Sequence, residues 1–534
     1  MVVLVIALMG VVAHANQIVR EVALEDVRGH VLGRAENHVM LDAQIHVRAN
    51  VLQHAHQHAP VLVQISAGGA LNKRVYMSTK YSNFRNEEIK DPEKVVFNTS
   101  NTREIVSLEI QVTNNCNLDC SYCFQRTKYK DRLLLKDYHQ IIDLLFNDTD
   151  MDNFEKFKIS DNGPRGYFLL YFIGGEPLLE IENIEKCVEY FEQKLIDHNM
   201  IDFNWKIETV TNGTLLFTDK VQKFINRYKD RLWIIVSVDG YTETSHDICR
   251  CFPNGTGTFK IVRDALKYVD DNFKKDYVAK MKYVISKNNL KYLYTDAVEF
   301  FKDGYTYIHS GLVVEDDWCL DDAKSYYYQL KLIADYMIKN KLYEKCDFSP
   351  ISKFATLGSF ISENTFNKDT RRCAIFNTRK LSISADKNII PCFSLDKSST
   401  NDHEIVYGNI YDGECITDEQ LNTFNMLYNH NIKDDYSYKC LYCPILRRCT
   451  GCPAVNFLQK GTFELCESAC HMYEAEYLAN LYYINKLSCI KFIDNPQKNR
   501  LSIERCMDII CMDEYNMLYG LYKEALKYHD EKAD

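Results

Sequence analysis

Three cysteines within eight residues, Cys116, Cys120 and Cys123 in the run Cys-Asn-Leu-Asp-Cys-Ser-Tyr-Cys-Phe, constrain this chain more than any other stretch. The preceding residues, Val106 to Val112, alternate between apolar and polar and predict a strand, so the thiols sit on a tight loop leaving a strand end. Structural zinc takes four closed ligands, usually as two Cys pairs, and no fourth Cys or His follows nearby. Three soft thiolates on one loop suit an iron–sulfur cluster that keeps one iron without a protein ligand, open for chemistry. For the loop alone, zinc or a purely structural cysteine knot stays as the alternative.

The 534-residue chain has a formal net charge of −10, which argues against nucleic acid or an anionic membrane as its main partner. Twenty cysteines would suit disulfides in a short secreted chain. Here many cluster at ligand spacings in a long aliphatic and aromatic one, which favours metal binding in a reducing cytoplasm. Length leaves room for about three domains. Residues 1–72 stand apart, with seven of the 15 His residues and neither Lys nor Tyr. Their apolar opening ends near Ala13-His14-Ala15 like a signal-peptide cleavage site, but no Lys or Arg precedes it. It is also shorter than the roughly 20 residues of a bilayer span. His54, His56 and His58 could bind a metal, although a polar strand or loop is the commoner outcome. This segment reads as an atypical extension and 73–102 as a polar lead-in, with no leader-binding domain evident before Val106.

Beyond the cysteine loop the apolar spacing switches repeatedly between helix and strand. Leu135, Tyr138, Ile142 and Leu145 recur as on a helix, and Tyr167 to Ile173 is a continuous apolar run of the kind buried on both faces. A helix through Ile184, Val188, Phe191 and Leu195 follows, then strands over Phe203–Val210, Leu232–Val238, Tyr277–Ile285 and Tyr305–Val314, with helices over Phe259–Phe273 and Leu290–Phe301. About six βα units predict an α/β fold with a parallel sheet curled into a partial barrel, whose sites lie at strand C-terminal ends. Gly174-Gly175-Glu176-Pro177-Leu178 follows one such end. Adjacent glycines let a backbone approach a ligand and a carboxylate there can bind an ammonium, or the run is a simple turn. Ser237 and, after His246, Arg250 follow another; a hydroxyl and a guanidinium can hold a carboxylate and ribose hydroxyls, a surface ion pair being the alternative for Arg250. Leu312 ends the sixth strand, where an apolar residue is more often core.

The spacing of Cys116, Cys120 and Cys123, with an aromatic on each side of the last, resembles the signature loop of the radical S-adenosylmethionine (SAM) superfamily. The resemblance implies a 4Fe–4S cluster on these three residues, with SAM chelating the open iron. One-electron cleavage of SAM then gives a 5′-deoxyadenosyl radical that abstracts hydrogen from unactivated C–H bonds. Gly174, Gly175 and Glu176 match the family motif contacting the SAM amino group. Ser237 and Arg250 match a Ser and an Arg that contact SAM, with one extra residue in the spacing. Tyr122 travels with the loop as a cofactor-binding residue, and Leu312 carries over onto the adenosine pocket.

A long helix, Asp322 to Lys341, leads through 322–364 to a second cysteine field: Cys373, Cys392, Cys440, Cys443, Cys449, Cys452, Cys466 and Cys470. By spacing alone two of its pairs suit zinc. A hairpin-like turn between Leu381 and Pro391, followed by Tyr407-Gly408-Asn409-Ile410, makes the order resemble a SPASM domain over 365–480, which holds two auxiliary iron–sulfur clusters. Carried over, Cys373, Cys392 and Cys452 serve the first cluster and Cys440, Cys443, Cys449 and Cys466 the second, while Cys470 completes either or stays a thiol. Ala374 to Lys380 lacks a Cys that fuller ligand sets carry, which would leave an open iron, and the gap from Cys449 to Cys452 is one residue short. Residues 481–534 read as a helical appendage.

The radical SAM barrel, over 103–321, and the SPASM resemblance together imply a cytoplasmic enzyme that modifies peptides or proteins, served by an external electron donor of flavodoxin or ferredoxin type, with no nucleic-acid or membrane partner. Sulfatase maturases of this type carry an Asp directly after the Cys matching Cys392, acting as proton acceptor; here it is Phe393, which cannot serve as a base. The leading expectation is a maturase that crosslinks a ribosomally made precursor peptide through a Cys thioether. Formylglycine formation or another radical SAM modification is the alternative, and a non-enzymatic iron–sulfur or zinc scaffold a second.

Overall fold

The computed structural model describes residues 46–49, 61–67, 71–77, 102–149, 156–163, 165–273, 280–351, 379–400, 405–411, 452–460, 469–490 and 508–533. The chain divides into two units, 1–94 and 95–534. Within the first, strands β1 (His46–Ala49), β2 (Val61–Ala67) and β3 (Leu71–Met77) form an antiparallel sheet. His54, His56 and His58, and the apolar opening over residues 2–12, lie outside the described residues.

The second unit is built on a ten-stranded sheet in the order β12-β11-β10-β9-β8-β7-β5-β13-β14-β15. Its six βα strands are β5 (Ser107–Gln111), β7 (Phe168–Ile173), β8 (Trp205–Thr211), β9 (Leu232–Ser237), β10 (Met281–Ile285) and β11 (Tyr307–Leu312), all parallel. The intervening helices are α1 (Leu135–Phe146), α2 (Ile181–Asp197), α3 (Asp219–Tyr228), α4 (Glu243–Asp247), α5 (Phe259–Asn272) and α6 (Leu293–Lys302). The sheet does not close on itself, so the expected partial barrel is the observed architecture. A separate parallel pair joins β4 (Arg103–Ile105) to β6 (Phe157–Ile159).

Two-residue periodicity sorts the strands. Leu108, Ile110, Phe168, Leu170, Phe172, Ile207, Ile234, Met281 and Tyr283 are buried in the main core. Phe191 of α2 joins them fully buried, stacking on Phe168 with centroids 5.7 Å apart and meeting Trp205 edge-on at 5.3 Å. The alternate residues, among them Glu109, Tyr171, Glu208, Trp233, Lys282 and His309, are half-buried or exposed and line the inner face of the barrel.

Beyond β11, helix α7 (Leu320–Lys339) leads to the short strand β12 (Asp347–Phe348). Strands β13 (Lys380–Ile383) and β14 (Asn388–Ile390) form the expected hairpin, with Lys387 at φ +75° in its turn. The hairpin is not a separate layer: β13 pairs in parallel with β5, and β15 (Gly408–Asn409) extends the same sheet. Helices α8 (Pro453–Lys460), α9 (Cys470–Ser488) and α10 (Met512–Ala533) complete the chain. Helix α9 packs on α7 and runs unbroken through residue 480, where the sequence reading set a boundary, because its burial goes all round rather than along one stripe. Among the described residues no helix is long and apolar enough to cross a membrane. Replacing Phe191 by Ala should cost about 3–5 kcal/mol of stability, read as a lower urea midpoint at unchanged slope; a cost below about 1 kcal/mol would show that the α2 contact is not a core contact.

Candidate active site

The cysteine loop leaves β5 and is held by main-chain bonds on two sides. On one, the amides of Gly175 and Glu176 donate to the carbonyls of Thr113 and Asn115 at 2.8 and 2.9 Å. On the other, the amides of Asp119 and Ser121 donate to the carbonyls of Cys251 and Cys249 at 2.9 and 3.0 Å. A Cβ on Gly174 would lie 2.5 Å from the Thr113 oxygen, and one on Gly175 2.2 Å from the Asn115 oxygen. The backbone that these glycines admit in this structure is thus the cysteine loop itself.

Each of the three sulfurs meets an N–H of the chain. Cys116 Sγ accepts from the Leu118 amide at 3.4 Å, with Asn212 Nδ2 4.0 Å away. Cys120 Sγ lies 3.7 Å from an Arg250 terminal nitrogen, and Cys123 Sγ accepts from Lys128 Nζ at 3.1 Å. Burial pushes the Cys116 thiol up and the Cys120 thiol to about 12, so metal must displace protons there. Once deprotonated, the sulfurs are met by donors already in place.

Glu176 is fully buried after β7. Its Oε1 accepts from Thr211 Oγ1 at 2.7 Å and the Leu178 amide at 3.1 Å, and Oε2 from the Asn212 amide at 2.8 Å. A carboxylate offers about four lone-pair sites, so one on Oε2 is left. Burial raises its pKa against these bonds. Asn212 also donates to Asn117 Oδ1 at 2.8 Å, and Asn117 donates to Thr214 Oγ1 at 2.8 Å. Thr211-Asn212-Gly213-Thr214, at the end of β8, is therefore part of the loop's support.

Asp239, fully buried after β9, ties the remaining residues together. Its Oδ2 accepts from Arg250 Nε at 2.6 Å and from the Tyr122 hydroxyl, and its Oδ1 from the Val284 amide at 3.0 Å. The Arg250 guanidinium lies 5.5 Å from the Tyr122 ring centroid. The ion pair that was the alternative reading for Arg250 is present, but buried beside Cys120 rather than at the surface. Behind it, the Asp239 amide donates to His246 Nδ1 at 3.1 Å, which leaves Nε2 to donate to Thr258 Oγ1 at 3.1 Å, and Thr258 donates to the Arg250 carbonyl at 3.0 Å. Burial pushes the His246 pKa down to about 4, consistent with this neutral tautomer. Ser237 is buried at the end of β9, and among the described residues its hydroxyl has no hydrogen bond. Leu312 ends β11 and packs against the core.

Of the second cysteine field, Cys373, Cys440, Cys443, Cys449 and Cys466 lie outside the described residues. Cys392 and Cys452 both pack against one small apolar cluster of Leu395, Ile405 and Ala454, while Cys470 starts α9. Phe393 is buried.

Thiols, a carboxylate, a hydroxyl and a guanidinium are thus gathered at strand C-terminal ends of an open-edged parallel sheet. Residues 110–291 match the family model described as "Radical SAM superfamily". The chain is 27% identical over 247 residues to the radical SAM cyclopropyl synthase TigE of Paramaledivibacter caminithermalis, covering 44% of this chain and 48% of that one. It is 33% identical over 148 residues to an uncharacterised protein of Methanocaldococcus jannaschii, covering 28% of this chain and 43% of that one. It thus spans about half the length of the curated relatives it matches. Among solved structures it is similar to native anSMEcpe with bound AdoMet, with a TM-score of 0.53 and 18% identity over 72% of this chain and all of that one. The same protein with AdoMet and a Cp18Cys peptide gives 0.52 and 19%, over 73% of this chain. At these identities the likeness shows the fold.

The superfamily implies a 4Fe–4S cluster and SAM, and the donor set fits them: three thiols on one loop, each already met by an N–H. Among the described residues no three His, Cys, Asp or Glu side chains converge as ligands of a single ion do; sulfurs that each hold a different iron have no need to.

Asp239→Ala leaves the buried Arg250 without its anion and should cost about 3–5 kcal/mol, whereas Asp239→Leu combined with Arg250→Leu should cost less than the single change. Equal costs in the denaturation midpoints would mean that the ion pair is not what holds the site. Because His246 has a folded pKa below its unfolded value, its contribution is complete above about pH 6.5 and is lost as pH falls toward about 4. The denaturation midpoint should fall across that window, and His246→Gln should flatten the fall.

Proposed function

We propose that this protein is a radical SAM enzyme that modifies a peptide. Cys116, Cys120 and Cys123 hold its SAM-binding cluster, and the second cysteine field holds two auxiliary clusters of the SPASM type. The observation that carries the reading is the cysteine loop at the sheet edge, with N–H donors on all three sulfurs and Glu176, Ser237 and Arg250 at neighbouring strand ends. When bound, a cluster and SAM supply one-electron cleavage of a sulfonium bond and hydrogen abstraction from an unactivated C–H bond. The chain's part is to bind and orient. The lone pair left on Glu176 suits the SAM amino group, the Ser237 hydroxyl and the Arg250 guanidinium suit its carboxylate or ribose, and Tyr122 and Leu312 flank the place for adenosine. Arg250, fixed by Asp239, keeps its charge beside Cys120 whatever occupies the barrel.

The peptide substrate is supported by the sulfur pair Cys392 and Cys452 gathered on one apolar cluster, as a shared auxiliary cluster requires, and by the peptide bound in the anSMEcpe fold relative. Phe393, buried beside Cys392, leaves no base at that position, which weighs against formylglycine formation. A thioether crosslink in a ribosomally made precursor is the favoured product, with an external flavodoxin- or ferredoxin-type donor supplying electrons. The match to a cyclopropyl synthase favours carbon–carbon ring closure as the second reading. Mass spectrometry separates them: both remove two hydrogens, but only the thioether also consumes a thiol that iodoacetamide would otherwise label.

After anaerobic reconstitution with SAM and a reductant, Cys120→Ala should form no 5′-deoxyadenosine and lose about four irons per chain. Cys392→Ala and Cys452→Ala should lose iron and yet still cleave SAM. A wild-type protein that binds zinc and makes no 5′-deoxyadenosine would end the enzyme reading.

A further inference from the structure

Among the described residues, the charges on the inner face of the barrel meet partners, with one exception. Glu109 pairs with Lys380 at 2.5 Å, Glu208 with Arg165 at 3.3 Å, and Asp239 with Arg250 at 2.6 Å, while Lys206 Nζ donates to the Asp230 carbonyl at 3.0 Å. Lys282 differs: its ammonium has neither an anion nor a hydrogen-bond acceptor among the described residues.

Register explains where it points. In the parallel ladders Lys282 stands beside Ser237 of β9 and beside His309 of β11. Neighbouring residues in such ladders share a face and lie about 4.8 Å apart. Met281 and Tyr283, on either side of Lys282, are fully buried toward the helices, as is Ile308 beside His309. Lys282 and His309 are exposed although both strands are internal to the sheet, so their side chains face the open inner side. Two residues along from His309, Gly311 leaves open space where a side chain would stand. The enclosing barrel wall and the charge of Arg250 hold the Lys282 ammonium below its usual pKa against the opposing charge of Asp239, and the wall with the charge of Lys282 does the same for His309. The row thus offers a hydroxyl, an ammonium and a neutral imidazole side by side, and among the described residues no anion pairs with them.

We propose that Ser237, Lys282 and His309 form a carboxylate-binding subsite on the inner wall of the barrel. A carboxylate accepts from all three donors at once. Two ligands carry such a group: an acidic side chain or C-terminus of the peptide substrate, and SAM. Only the choice between these sources rests on the function proposed above.

Isothermal titration of the anaerobically purified full chain distinguishes them, using N-acetyl-L-glutamate, N-acetyl-L-glutamine and SAM as probes. Wild-type protein preferring the glutamate by about tenfold or more, a preference lost in Lys282→Met and kept in Lys282→Arg with SAM affinity unchanged, assigns the subsite to a substrate carboxylate. SAM binding weakened by about tenfold or more in Lys282→Met, with no preference between the acetyl compounds, assigns it to the cofactor. If wild type does not distinguish glutamate from glutamine and Lys282→Met binds SAM as wild type does, the proposal falls. The acetyl-glutamate measurement needs neither cluster nor SAM cleavage, so a protein making no 5′-deoxyadenosine would remove the enzyme reading and leave the subsite standing.

Discussion

The site depends on how closely two stretches of backbone approach each other. Thr113 and Asn115 bring their carbonyls against residues 174 and 175 so tightly that no side chain fits there, and the amides of Gly175 and Glu176 bond to them. That contact sets the path of the chain out of β5 and with it the positions of Cys116, Cys120 and Cys123. It also sets Glu176, because the same turn that receives the loop delivers its carboxylate to Thr211 and Asn212. Strand end, glycine turn and thiol loop are one mechanical unit.

Asp239 does for the far side of the loop what the glycines do for the near side. One fully buried carboxylate holds a guanidinium, a phenol and an amide of the next strand. A buried ion pair of this kind adds little net stability against well-packed apolar residues. What it contributes is direction, since the Arg250 nitrogen left over from the pair faces Cys120.

The sequence disclosed the parts whose signal is local. Alternating and helical periodicities located six parallel strands, and the thiol spacing located the loop, since both depend on residues a few positions apart. The glycine pair was visible, but the carbonyls that crowd it were not, because they come from some sixty residues upstream. Asp239, Asn212 and Lys128 carried no motif of their own. Tyr122 lies 117 positions from Asp239 and Cys120 lies 130 from Arg250, and only the folded sheet brings such partners together. The hairpin near Cys392 was readable as a hairpin but not as an extension of the barrel sheet.

That extension governs how the two halves of the chemistry are spaced. Strand β13 lies in register with β5, Lys380 reaches Glu109, the Ala385 amide reaches Gln111, and just past Cys392 the Ser398 carbonyl receives the Thr127 amide. Cys392 and Cys123 are consequently stationed on a common ruler whose graduations are ladder bonds. Linker length between barrel and hairpin can drift without altering the gap between the two cysteines. A slip of one residue in β13 would instead turn its inward side chains outward and carry Cys392 away from the apolar cluster it shares with Cys452.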